Sequence, residues 1–104
     1  MSNQPISEQY GKIAEEWVDA EAAASLLEET RSATFSQWVM KQGDIAVNRA
    51  EHIVKASPEW MEYNKKMVNA RKLANLKKVQ MEQIKMRHWE AQSESANARV
   101  EARL

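Results

Sequence analysis

Apolar side chains in the last half of the chain recur with helical spacing, and at 100° per residue they fall on two sides of one helix. The first stripe consists of Tyr63, Met67, Ala70, Ala74 and Met81. The second stripe consists of Met61, Val68, Val79 and Met86, and it lies roughly 140° from the first. Because a helix that packs on one neighbour needs one stripe, the pattern predicts two neighbours. They belong either to a three-helix arrangement within the chain or to one internal helix and a second subunit.

This helix has a clear start signal in Ser57-Pro58-Glu59. The serine can cap free N–H groups, proline suits the first helical position, and glutamate interacts favourably with the positive end of the helix dipole. No glycine or proline follows Pro58. We therefore predict one helix over 58–101, with Gln92–Ser95 as the place where its low helix propensity would allow a break.

Two further helices are predicted before it. The residues Ile13, Trp17, Ala20, Ala24, Leu27, Phe35 and Trp38 keep helical spacing and predict a helix over 7–42. Ser7 would cap this helix, Gly11 would interrupt its first turns, and Gly43 would end it in a left-handed conformation. Its small Ala20–Ala24 segment would let another helix approach closely. A short helix over 44–56, capped by Asp44, would follow, and residues 1–6 would be flexible.

The side of the first helix opposite its apolar stripe carries Glu15, Asp19 and Glu29 and is predicted to face solvent. The pattern as a whole predicts an all-α fold over residues 1–104 as a single domain. Its architecture would be an elongated helical hairpin or bundle, with a long, a short and a very long helix.

The predicted third helix is longer than the first by roughly 20 Å at 1.5 Å per residue. From about Trp89 onward it has little of its own chain to pack on, so it is either a frayed end or part of an assembly. We predict a homodimer or higher homo-oligomer with coiled-coil-like packing along this helix. The expected partner interface consists of Met61, Val68, Val79, Met86 and Trp89.

Charge changes this picture, because the net charge of zero is the sum of two unlike parts. Residues 1–63 hold 11 acidic and 5 basic side chains, whereas residues 64–104 hold 10 basic and 4 acidic ones. A basic segment from Lys65 to Arg87 can bind nucleic acid. The candidate residues for that role are Arg71, Lys72, Lys77, Lys78, Lys85 and Arg87. They lie on several sides of the helix, which favours the alternative of a salt-bridged rim between an acidic helix and a basic one.

Most catalytic chemistry lacks its motifs in this sequence. There is no cysteine, His52 and His88 have no second ligand at helical spacing, and no Gly-x-Ser-x-Gly or phosphate-binding loop is present. We therefore expect no enzyme activity, metal, cofactor or small-molecule substrate. No apolar run approaches the ~18 residues of a membrane span, and the N-terminus lacks signal-peptide features. These features predict a cytoplasmic protein without membrane contact.

The last half of the chain resembles small uncharacterised helical proteins of bacteriophages and prophages. The resemblance depends on Ser57-Pro58-Glu59, on Ala70–Asn75, on Trp89 and on Asn97–Leu104. Proteins of this kind are neighbours of recombination and replication genes, so the resemblance implies an accessory role in DNA metabolism and carries over no catalytic residue. Our hypothesis is a non-enzymatic protein that acts by protein–protein association. DNA binding through Lys65–Arg87 is the alternative, and a virion-assembly or scaffolding role is a minor one.

Overall fold

The chain folds into three α-helices joined by short turns. A computed structural model describes residues 5–103, with side chains as far as Arg99. Helix α1 is Ile6–Met40, α2 is Val47–Lys55 and α3 is Pro58–Arg103. The helices α1 and α3 pack along each other as an antiparallel hairpin, and α2 covers its closed end. This confirms the predicted all-α, elongated hairpin.

Small side chains form the centre of the contact between α1 and α3. Ala20, Ala24 and Ala74 form a buried cluster, and Ala70 packs against it. Both Ala24 and Ala74 have 0% of their surface exposed. Because the distance between two helix axes depends on the side chains at the contact, alanines here allow the backbones to approach closely. The close approach predicted for Ala20–Ala24 is therefore confirmed.

Aromatic rings fill the closed end of the hairpin. The cluster consists of Phe35, Trp38, Trp60 and Tyr63, and ring centroids in contact are 5.1–6.2 Å apart. Trp60 is buried at its centre, and the guanidinium of Arg31 lies 5.1 Å from the Trp60 ring centroid. Large rings supply burial that a two-helix contact otherwise lacks.

Polar contacts near this cluster fix the position of α3 along α1. The Tyr63 hydroxyl donates a 2.6 Å hydrogen bond to the carbonyl oxygen of Leu27 and lies 3.2 Å from Thr30 Oγ1. One residue further along each helix, Arg31 Nε donates to Asn64 Oδ1 at 3.0 Å. A shift of α3 by one turn would break all three contacts.

The helix starts agree with the predicted caps at one position and differ at two. Ser57 caps α3 as predicted, because its Oγ accepts a 3.2 Å hydrogen bond from the Trp60 N–H. The predicted cap at Ser7 is wrong: α1 begins at Ile6, since the Pro5 carbonyl already accepts the N–H groups of Glu8 and Gln9. The predicted cap at Asp44 is also wrong.

Asp44 lies in the turn between α1 and α2 instead of at a helix start. The N–H of Ile45 donates back to the Gly43 carbonyl, and this turn delays the start of α2 to Val47. Gly43 has the predicted positive φ, at 88°, but α1 already ends at Met40, two residues before the predicted boundary.

Two predicted weak points are helical in the structure. Helix α1 passes through Gly11 without interruption, and α3 continues through Gln92–Ser95 to Arg103. Of the predicted flexible segment, residues 1–4 lie outside the described residues, and Ile6 already belongs to α1.

The molecule is long and has a thin core. Its extents are 84 × 22 × 19 Å, and its exposed surface is 8364 Å². A typical folded monomer of this mass exposes about 6,000 Å². Seven apolar residues in the described part of the chain are buried, and four of them are alanines. The first turns of α1 lie beside Lys85 and His88, so α3 continues past the described start of α1 from residue 89 onward.

Candidate interaction surface on the third helix

The first predicted stripe of α3 faces α1. Its members are Tyr63, Met67, Ala70, Ala74 and Met81, of which Ala74 is buried and the others are half-buried. The hydroxyl of Tyr63 also bonds to the backbone of α1. One of the two neighbours predicted for α3 is therefore α1 of the same chain.

The second predicted stripe points away from α1 and is exposed. Its four residues are Met61, Val68, Val79 and Met86, and Leu76 lies beside them on the same side. Each of these five side chains is 50–66% exposed. By helical geometry the cations on this same side are Lys65, Lys72 and Arg87. We call these eight residues the outer surface of α3. A row of exposed apolar side chains with a polar border is typical of a protein interaction site.

Trp89 lies next to this surface and is 70% exposed. It follows His88, the last α3 residue that lies beside the first turns of α1. The structure therefore places all five predicted interface residues on exposed parts of α3, with Trp89 at the point where the helix leaves the hairpin.

Two of the predicted nucleic-acid-binding residues instead form ion pairs with α1. Arg71 binds Glu28 through two hydrogen bonds of 3.0 and 2.6 Å, and it binds Glu21 at 2.6 Å. Lys77 Nζ lies 2.9 Å from Glu16 Oε2. These contacts place an acidic helix beside a basic one, which is the arrangement that the charge pattern favoured.

The ion pairs shift the pKa values of Glu16, Glu28 and Arg71. The hydrogen bond from Arg71 lowers the pKa of the Glu28 carboxyl below its ordinary value, and the hydrogen bond from Lys77 does the same for the pKa of Glu16. The two carboxylates raise the pKa of the Arg71 guanidinium. Each shift favours the charged forms that bind each other.

The other four predicted cations do not form a single patch. Lys72, Lys78, Lys85 and Arg87 are exposed, and within the described residues they form no ion pair. By helical geometry Lys78 and Lys85 lie on one flank of α3, whereas Lys72 and Arg87 lie on its outer surface. The structure therefore divides these four cations of the predicted basic segment between two sides of α3.

A corresponding surface on α1 contains Glu15, Asp19 and Glu29, which were predicted to face solvent, and apolar residues for which no role was predicted. On the side of α1 turned away from α3, Ser36 and Met40 are exposed near the end of the helix and Lys12 at the edge of this side. The same side also exposes Glu8, Glu15, Val18, Asp19, Ala22, Leu26, Glu29 and Ala33. We call these last eight residues the outer surface of α1. Val18 and Leu26 are more than half exposed. Their eight-residue spacing on one side of the helix is the sequence signal that could have identified them.

Other kinds of site find little support in the described residues. A shallow, mainly apolar cavity of about 310 Å³ lies at the open end of the hairpin, and its lining is Ile6, Ser7, Tyr10, Lys85 and His88. A search of residues 5–103 finds no cluster of three metal-ligating side chains. The same part of the chain contains no helix with the length and apolar character of a membrane span.

Comparison with protein-family models, curated proteins and solved structures found no match to this chain. The features that bear on function are therefore the two outer surfaces and the cations of α3 that remain exposed.

Proposed function

We propose that this chain is a non-enzymatic helical protein that acts by protein–protein association through the outer surface of α3. The supporting observation is the row of exposed apolar side chains from Met61 to Met86 on the side opposite α1. An interface centred on these side chains would remove them from water, which is the dominant favourable contribution to most protein association.

The amount of exposed surface supports the same proposal. The chain exposes about 40% more surface than a typical folded monomer of its mass. Stable interfaces bury about 1,200–2,000 Å² in total, and obligate ones bury more. Covering the outer surface of α3 would provide burial that seven core residues do not supply.

In-cell photo-crosslinking tests this proposal directly. A photoreactive amino acid at Val68 or Val79 should give a covalent protein adduct after irradiation, because both side chains lie in the proposed interface. The same amino acid at Lys41, in the turn after α1, is the control and should give little adduct. If neither Val68 nor Val79 gives an adduct while both variants keep the helical circular dichroism of the parent, the proposal is wrong.

DNA binding is the second candidate function. It is favoured by the predicted cations Lys72, Lys78, Lys85 and Arg87, which are exposed and form no ion pair within the described residues. Backbone-directed binding needs such cations, and each phosphate contact adds to the salt dependence of the affinity. The resemblance implies an accessory role in phage recombination or replication, which belongs to the first proposal, with DNA binding as the alternative. A scaffolding role would be a specific form of the first proposal.

Fluorescence anisotropy with single-stranded and duplex oligonucleotides at low salt separates the two functions. Lys72→Glu/Lys78→Glu/Lys85→Glu should abolish binding and its salt dependence. Lys12→Glu/Lys41→Glu/Arg49→Glu, with the same change in charge, should retain more of it. If no binding is measured at about 10–100 μM protein, DNA binding is excluded as the function, because the dissociation constants of non-specific DNA binding lie in or below that range.

A further inference from the structure

We propose that the partner of the outer surface of α3 is a second copy of this chain, bound through the outer surface of its α1. The inference depends on the proposed function and names the partner of that same surface. Copies would associate side by side, so that α3 of one chain packs between its own α1 and the α1 of its neighbour.

Charge complementarity is the first argument. The outer surface of α1 has four carboxylates, Glu8, Glu15, Asp19 and Glu29, and no cation. From Met61 to Arg87 the outer surface of α3 has three cations, Lys65, Lys72 and Arg87, and the exposed Glu90 follows on the same side one turn beyond Met86. None of the four carboxylates and three cations of the two outer surfaces forms an ion pair within the described residues. Each surface therefore has the charge that would attract the other.

The spacing of the residues is the second argument. Residues in contact across the hairpin have numbers that add to between 90 and 101, as in Leu27–Tyr63, Thr30–Tyr63, Glu16–Lys77 and Trp38–Tyr63. A neighbouring copy at the same height and in the same orientation would keep this relation across the new contact.

At that height the two outer surfaces match in both apolar and charged positions. The apolar pairs would be Leu26 with Val68, Val18 with Leu76, and Ala33 with Met61. The charged pairs would be Glu29 with Lys65 and Glu8 with Arg87. The residue opposite Lys72 would be Ala22, and Asp19 lies within one helical turn of Ala22. Val79 would lie opposite Glu15 and Met86 opposite Glu8. Without any shift along the helix axis, the match therefore covers three of the five apolar residues and two of the three cations on the outer surface of α3.

The same charges disfavour the symmetric alternatives. Packing α3 against α3 of another copy would bring three cations against the same three, and packing α1 against α1 would bring four carboxylates together. Juxtaposed like charges suppress an interface. A contact between two different surfaces leaves one surface of each kind free at the ends of the assembly. Such an assembly forms a closed ring if the rotation between neighbouring copies closes, and an open filament if it does not.

A pair of charge-reversed variants tests this inference. The first variant, Lys65→Glu/Lys72→Glu, makes the outer surface of α3 net acidic like that of α1. The second variant, Glu15→Lys/Asp19→Lys/Glu29→Lys, makes the outer surface of α1 net basic like that of α3. In size-exclusion chromatography with light scattering at low salt, the parent should form species larger than a dimer. Each variant alone should associate about tenfold or more weakly, and an equimolar mixture should associate again, because each acidic surface then meets a basic one. Lys41→Glu/Arg49→Glu is the matched control and should behave like the parent.

The possible outcomes separate this inference from the proposed function. The inference is wrong if the parent stays monomeric at low salt and high concentration, or if the mixture fails to associate. If, in addition, Val68 crosslinks to a protein of different mass, the proposed function stands and the partner is not a second copy. If Val68 and Val79 give no adduct at all, the proposed function itself fails. A self-adduct of twice the 12.0 kDa chain supports both.

Discussion

Arg71 illustrates how a residue that looks suited to binding a partner can instead hold the fold together. It shares a seven-residue spacing with Lys78 and Lys85, which in the sequence makes the three look equivalent. In the structure Arg71 binds Glu21 and Glu28, whereas Lys78 and Lys85 stay exposed. The difference depends on which carboxylates of α1 lie opposite each cation. No local pattern in α3 contains that information.

The Arg71 contacts predict how stability depends on pH. A carboxyl whose pKa is lowered in the folded state adds stability above its unfolded pKa, ordinarily about 4.5. This contribution is lost as the pH falls through the lowered pKa. We expect the melting temperature of the parent to decrease between pH 5 and pH 3, as measured by circular dichroism, and Arg71→Met to decrease less.

Lys78→Met is the control for this prediction, since Lys78 forms no ion pair within the described residues. It should keep the full pH dependence of the parent. The interpretation of Arg71 fails if Arg71→Met and Lys78→Met show the same dependence.

At the scale of helices, local sequence predicted the start of α3 better than the starts of α1 and α2. Ser57 is followed directly by Pro58 and Glu59, so all parts of the signal lie within three residues. For α1 the carbonyl of Pro5 begins the helix before Ser7, and for α2 the turn at Gly43 delays it past Asp44. A serine or aspartate alone therefore does not locate a helix start, because a neighbouring residue can begin the helix earlier or a neighbouring turn can delay it.

The cap of α3 gives a prediction with a matched control. Ser57→Ala removes the Oγ that accepts the Trp60 N–H, and it should lower the free energy of unfolding by about 1 kcal/mol. Ser7→Ala changes an exposed serine inside α1 and should have an effect within about 0.5 kcal/mol. Urea denaturation measures both, and equal losses would contradict the assignment of Ser57 as the cap.

The two glycines should respond to alanine in opposite directions. Gly11 lies inside α1 with nothing within 4 Å of an added Cβ, so Gly11→Ala should stabilise the chain by about 0.5–1 kcal/mol. Gly43 has equally open surroundings but a φ of 88°, so Gly43→Ala should destabilise it by about 1–2 kcal/mol. Equilibrium unfolding in urea decides this, and a stabilising Gly43→Ala would contradict the turn geometry.

At the scale of the whole molecule, helix lengths predicted the elongated shape. The register between α1 and α3 was not predictable from the sequence alone, because it depends on contacts between the helices, such as that of Tyr63 with Leu27. That register determines which cations are paired and which surfaces stay exposed. The candidate interface on α3 was therefore predictable from its stripe, whereas the matching surface on α1 became visible through the register.

Small-angle X-ray scattering tests the shape. The radius of gyration of the Cα atoms is 23.3 Å, whereas a compact domain of this length has about 13 Å. In dilute solution at high salt, where charge-driven association is weak, we expect a value near the larger figure. A value close to that of a compact domain would mean that α3 folds back on itself.

The buried cluster of Ala20, Ala24 and Ala74 between α1 and α3 also limits which substitutions this sequence can accept during evolution. Ala24 and Ala74 have no room for a larger side chain, and glycine in their place would weaken both helices. Most other positions are at least partly exposed and tolerate many replacements. Distant descendants of a common ancestor would then keep a few spaced alanines while the rest of their sequences drifted apart. A search for homologues should accordingly weight those positions above overall identity.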